Sequence, residues 1–169
     1  MIKKINFSLL LVLTIVFHSF SKDINYTDLY KYLVDLKGWK CEKPTGSSLK
    51  TPMGNAVNAK RSCEKGNKNI EVQIIAGTMA SMAWAPFNMG IEYDSPEQLV
   101  KAKKLDGFKE VIMFNKSKEN PTGTIAVLLN ESQGTPFTIF VVNFDNMNYE
   151  EAENLVKKYP LKEISKIFK

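Results

Sequence analysis

Apolar and polar positions alternate in short runs along the middle and the second half of the chain. Ile70, Val72 and Ile74 are separated by Glu71 and Gln73, the period of two that a strand with one buried face requires. Val57, Ala59 and Cys63 repeat the pattern more loosely upstream, with Arg61 on the same side, and Lys65-Gly66-Asn67-Lys68-Asn69 between the two runs reads as a hairpin loop. Three more runs follow: Phe108 to Asn115, Thr124 to Asn130 and Phe137 to Phe144. They are separated by Asn120-Pro121-Thr122-Gly123 and Ser132-Gln133-Gly134-Thr135, connections of hairpin length that carry turn residues. The last two runs are apolar at both parities, Ile125, Val127 and Leu129 against Ala126 and Leu128, then Phe140, Val142 and Phe144 against Ile139 and Val141. They are expected to be central strands with something packed on each side.

Other segments carry helical spacing. Between Asn25 and Leu36, residues Tyr26, Leu29, Tyr30, Leu33 and Leu36 share one face, with Asp28 in the first turn and Gly38 past the end. Thr78 can cap a short helix that Pro86 stops. Ser95-Pro96-Glu97-Gln98 has the cap, first-position proline and returning side chain that open a helix, expected to run to Lys104 and to end at Asp106-Gly107. Asn148 caps a further helix with apolar face Ala152, Leu155, Val156 and Tyr159, acids at its start and lysines at its end; Pro160 stops it, and a final turn holds Leu161, Ile164 and Ile167. The order of these elements predicts a single α+β domain over residues 22–169, an antiparallel sheet of about five strands with helices packed on it.

One stretch breaks the ordinary mixture of charge and apolarity. Residues 76–91 carry no charge in a lysine-rich chain, so they are buried or they bind something. Met79, Met82, Trp84, Phe87 and Met89 are therefore read first as plain core, and as the candidate ligand or partner surface if they are divided, some against the sheet and some lining a groove. Met79, Met82 and Met89 also have the soft thioethers that copper(I) accepts, although no His or Cys joins them and methionine commonly fills core gaps. Glu92, Asp94 and Glu97 form an acidic cluster without the spacing of a calcium loop. Lys101, Lys103, Lys104 and Lys109 read as a mildly basic patch or a solvated face. No metal and no cofactor is expected.

The beginning of the chain sets the compartment. Met1-Ile2-Lys3-Lys4, the apolar run Phe7 to Phe17 and His18-Ser19-Phe20-Ser21 read as an export signal, residues 1–21, cut after Ser21. About 11 to 14 apolar residues fall short of the roughly 20 that span a bilayer. No later stretch is long and apolar enough to span one, so a periplasmic or secreted protein is expected. In such a compartment Cys41 and Cys63, the only two cysteines, are expected to pair as a structural bridge. Closing that loop stabilises a fold by roughly 3 kcal/mol on the chain-entropy model.

Charge and histidine then narrow the function. Without Lys3 and Lys4 the 23 basic residues become 21 against 18 acids, a net charge of +3, with the lysines scattered and Arg61 the one arginine. Nucleic acid is not an expected partner. His18, the single histidine, leaves with the signal. That excludes histidine-dependent nucleophile relays and histidine-ligated zinc, so an enzyme is not expected.

The Leu36-Lys37-Gly38-Trp39 opening, the Pro44-Thr45-Gly46 turn, the hairpin leading into an uncharged Ala- and Met-bearing helix, and the closing helix resemble small exported bacterial proteins of unknown function. The layout also resembles the two-layer α+β domains grouped with the photosystem accessory protein PsbP and the nuclear-transport factor Mog1. That resemblance implies a fold and names no activity. The reading that follows is an exported, non-catalytic binding or accessory domain, its partner an unknown protein or an apolar small molecule. An inhibitor or immunity-type protein acting on an exported enzyme is the alternative. A weak carboxylate-based hydrolase is third, and it requires two acids brought together in a cleft with separated pKa values.

Overall fold

The computed structural model describes residues 24–52, 54–88, 90–132 and 135–167. The expected export signal, residues 1–21, and Met89 lie outside the described residues. Among the described residues nine strands form one antiparallel sheet: β1 (Lys40–Cys41), β2 (Thr45–Thr51), β3 (Gly54–Lys65), β4 (Lys68–Gly77), β5 (Tyr93–Asp94), β6 (Gln98–Leu105), β7 (Phe108–Asn115), β8 (Thr122–Ser132) and β9 (Thr135–Asp145). Their spatial order is β1-β3-β4-β9-β8-β7-β6-β5, with β2 also paired to β3 beyond the end of β1. The same described residues include four short α-helices: α1 (Tyr26–Leu29), α2 (Thr78–Trp84), α3 (Tyr149–Val156) and α4 (Leu161–Ile167).

The chain is thus mainly β, which corrects the expected α+β domain with a sheet of about five strands. Part of the difference lies in Ser95 to Lys104, expected as a helix and observed as β6. Ser95 Oγ does accept from the N–H groups of Glu97 and Gln98, at 3.2 and 3.1 Å. The same bonds that cap a helix also close a serine turn leading into a strand. Cross-strand pairing then decides the outcome, because Asp106 and Gly107, at φ +51° and +93°, make the two-residue turn that folds β6 onto β7. The expected helix from Asn25 to Leu36 is cut to α1 and one 3-10 turn, Tyr30–Tyr32. Arg61 explains why. Its guanidinium donates to the carbonyls of Leu33 and Glu42, each at 2.7 Å, and to Asp35 at 2.5 Å, so this part of the chain is bonded to β3 instead of to itself.

The pairing registers sort the side chains onto two faces. One carries Val57, Ala59 and Cys63 of β3, Ile70, Val72 and Ile74 of β4, Phe140, Val142 and Phe144 of β9 and Ile125, Val127 and Leu129 of β8. Leu29, Leu33, Leu36, Val156, Leu161 and Ile164, from α1, α3, α4 and the chain after α1, close over it. The opposite face carries Ile75, Val141, Ile139, Ala126 and Val111 beneath Ala80 and Trp84 of α2. β8 and β9 are therefore central and packed on both sides, as their continuous apolarity implies. Asn148 caps α3 by accepting from the Glu151 N–H at 2.8 Å. Cys41 and Cys63, directly opposite one another in β1 and β3, form the expected disulfide. That bridge fastens a strand of two residues that backbone pairing alone would hold weakly.

Candidate binding surface

The α2 face of the sheet is only half covered. Register places Ser62, Glu71, Asn143 and Thr124 in one row across β3, β4, β9 and β8, and Glu64, Asn69, Asp145, Thr122 and Asn115 in the next. α2 lies over the apolar rows beyond them and leaves these two uncovered. Next to the disulfide the open part forms a depression of about 490 Å³, with Glu64, Glu71, Asn69, Asn143 and Asp145 among its lining residues. Its polar groups hold one another. Lys60 and Gln73 donate to Glu71 at 3.1 and 2.6 Å, Thr124 donates to Asn143 at 2.8 Å, and Lys40 pairs with Glu64 at 3.0 Å. Burial alone would raise the pKa of Glu71, but the bonds from Lys60, Gln73 and Asn143 outweigh it and hold the carboxyl below its ordinary range.

α2 divides the uncharged stretch between inside and outside. Gly77, at φ +74°, swings the chain from β4 onto the sheet. Ala80 and Trp84, four apart, then point inward, and Trp84 is 1 % exposed. Phe87, in the 3-10 turn Ala85–Phe87, packs half-buried at 5.7 Å from the Trp84 ring, and the Lys109 ammonium stands 5.7 Å from that ring. Met79 and Met82 face away from the sheet, 41 % and 79 % exposed. Among the described residues the other large exposed apolar side chains are Leu49, Ile91 and Tyr93. Leu49 is in register with Ala56 and so with Gly77, and Tyr93 with Val100 and so with Met113. Both point to the α2 face, so Leu49, Met79, Met82 and Tyr93 belong to the α2 side of the molecule, while Ile91 lies on the connection from α2 to β5 and the opposite face is packed by helices.

The remaining candidates are dispersed. Asp94 pairs with Lys116, and Glu97 accepts from Ser95 Oγ at 3.1 Å, where a helix would have offered Lys101. Among the described residues no group of three or more His, Cys, Asp or Glu is placed to hold a metal ion. The four lysines do not form one patch: Lys103 reaches beneath α3, Lys109 stands over Trp84, and Lys101 and Lys104 are exposed on β6.

A cluster that sequence reading missed lies under α3. Glu110 is fully buried, its carboxylate 3.6 Å from Lys103, while Lys103 also bonds Glu153, which pairs with Lys157 at 2.8 Å. Its parity was legible, since Glu110 falls on the same side of β7 as Phe108 and Ile112. Burial raises the pKa of Glu110, and Lys103 offsets this only in part. Burial acts upward on Glu153 as well, but the bonds and charges of Lys103 and Lys157 outweigh it and hold Glu153 low. Two neighbouring acids thus have pKa values shifted in opposite directions, and Glu110 is fully enclosed.

The two shifts have opposite consequences for stability. Glu110, raised, favours the fold in its protonated form, and that contribution is lost as pH climbs through the raised value. Glu153, lowered, favours the fold when ionised, and its contribution is lost as pH falls through the lowered value. Glu110→Gln removes the first effect alone. We expect this variant to gain stability relative to wild type as pH rises from about 4, the ordinary carboxylate range, to neutral, measured by urea unfolding across that interval. A stability difference independent of pH would show that burial does not govern Glu110.

Comparison of the chain with models of protein families, with curated proteins and with solved structures found no match.

Proposed function

We propose that this chain is an exported, non-catalytic binding or accessory domain that docks a protein partner on its α2 face. The observation that carries the reading is the placement of the large exposed apolar side chains Leu49, Met79, Met82 and Tyr93 on that one side. An exposed helix ordinarily turns charge to water, whereas α2 turns out two methionines, side chains suited to adaptable contact surfaces. An apolar small molecule fits less well. Such ligands are held in enclosed apolar pockets, whereas Met82 projects outward and the depression beside the disulfide is lined mainly by polar and charged side chains. Export is supported by the disulfide, which persists in oxidising compartments.

The test is capture from the native envelope with wild type and with a Met79→Asp, Met82→Asp double variant. Both positions are exposed, so the variant should keep its melting temperature while losing a partner that wild type retains in stoichiometric amount. If that partner is an enzyme and its activity falls on binding, the protein is an inhibitor. Equal capture by both forms would remove α2 as the docking surface.

A further inference from the structure

The two ends of the sheet are finished differently. At one end β5 covers Leu99 and Val100 of β6, and Lys101, Lys103 and Lys104 occupy the rest of that strand. A twofold pairing of β6 with a second β6 about residue 102 or residue 103 sets lysine against lysine, Lys101 opposite Lys103 or Lys103 opposite itself. This is the familiar way of guarding an edge. At the other end lies β2, exposed from Thr45 through Lys50, with no proline inside it and one charged residue.

The free side of β2 can be read from its register. Glu42 N–H donates to the Ser62 carbonyl, so the even-numbered residues of β3 bond outward toward β1 and β2. Lys60, Asn58 and Ala56 then engage Thr45, Ser47 and Leu49, and the backbone N–H and C=O groups of Gly46 and Ser48 point away from the sheet. A twofold centred on Ser48 pairs Ser48 with itself, Ser47 with Leu49 and Gly46 with Lys50, so that no charge meets a like charge. Pro44 and Pro52 bracket this window and fix its length. Leu49, on the α2 face, comes to lie against the neighbouring strand, which withdraws one of the exposed apolar side chains from water.

We propose that two copies of this chain associate by antiparallel pairing of β2 with β2 about Ser48, joining their sheets into one continuous sheet with both α2 surfaces on the same side. The inference stands apart from the docking role of α2, because it rests on backbone register and charge placement at the sheet edge.

The register predicts a charge-swap experiment. Residue 47 of each copy faces residue 49 of the other, and both are exposed in the single chain. In the Ser47→Lys, Leu49→Lys variant both facing pairs become like-charged, as they do in Ser47→Glu, Leu49→Glu. Light scattering after size exclusion should give a dimer mass for wild type and monomers for each double variant, with unchanged far-ultraviolet spectra. The dimer should be weakened by about tenfold or more. An equimolar mixture of the two variants should restore a dimer containing one of each. A wild type of monomer mass at every concentration, variants that still dimerise, or a mixture that stays monomeric would each overturn the proposal.

Discussion

Replacing Trp84 by alanine is expected to cost about 3 to 5 kcal/mol of stability, while Met82→Ala, two residues earlier on the same helix, costs less than about 0.5 kcal/mol. The difference follows from direction alone. Trp84 fills the space between α2 and the side chains of Ile75, Val111, Ala126, Ile139 and Val141, and among the described residues α2 is the helix whose side chains join that cluster. Removing the indole leaves a cavity that a helix of one or two turns cannot collapse to fill, and it removes the ring on which Phe87 and Lys109 rest. Chemical unfolding of the two variants measures the contrast. Equal losses would mean that α2 does not dock through Trp84, and the outward placement of Met82 would lose its basis.

Gly77→Ala is the second large effect. The residue sits at φ +74° and ψ −149°, a region that side-chain-bearing residues avoid. A Cβ there would stand 1.8 Å from the Asn55 carbonyl oxygen. Backbone strain of about 1 to 3 kcal/mol and forced displacement of about the same size add to roughly 2 to 6 kcal/mol. Gly66 separates the two causes, because it too has positive φ but nothing lies within 4 Å of its Cβ position. Gly66→Ala should cost only about 1 to 2 kcal/mol. Thermal melts of both variants decide the matter, and similar losses at the two sites would rule out the close approach as the cause.

What the sequence revealed follows the physics of each segment. β4 was legible because Ile70 to Ile74 alternate with polar residues, β8 and β9 because Ile125 to Leu129 and Ile139 to Val142 are apolar at both parities, and α3 because Asn148 and Glu151 mark its start locally. β2 was not legible: Thr45 to Thr51 carries one large apolar residue and owes its strand to pairing with β3. β6 was misread because Ser95 makes the same local bonds in either structure, and the choice lies in a contact with β7. The α2 surface was half legible. The missing charge over residues 76–91 marked the segment, but which methionines face outward depends on where Gly77 turns the chain, and Leu49 and Tyr93 join that side through registers invisible in sequence. Glu110 shows the reverse case, in which parity placed an acid inside and its lysine partner came from the neighbouring strand.

The strand order also bears on how the chain reaches its fold. β1 to β4 form one run of neighbours, and β5 to β9 another, each linked largely by short connections. The two runs meet along a single seam, where Asn69 to Ala76 of β4 pairs with Thr138 to Asp145 of β9. Every other strand pairing joins segments close in sequence and is inexpensive in chain entropy, whereas this one must close a loop that contains α2 and four strands. The seam is therefore the kinetic bottleneck of assembly. Because Ile75 and Ile139 of the seam lie beneath α2 with Trp84, the same helix that carries the outward methionines also clamps the last joint to form.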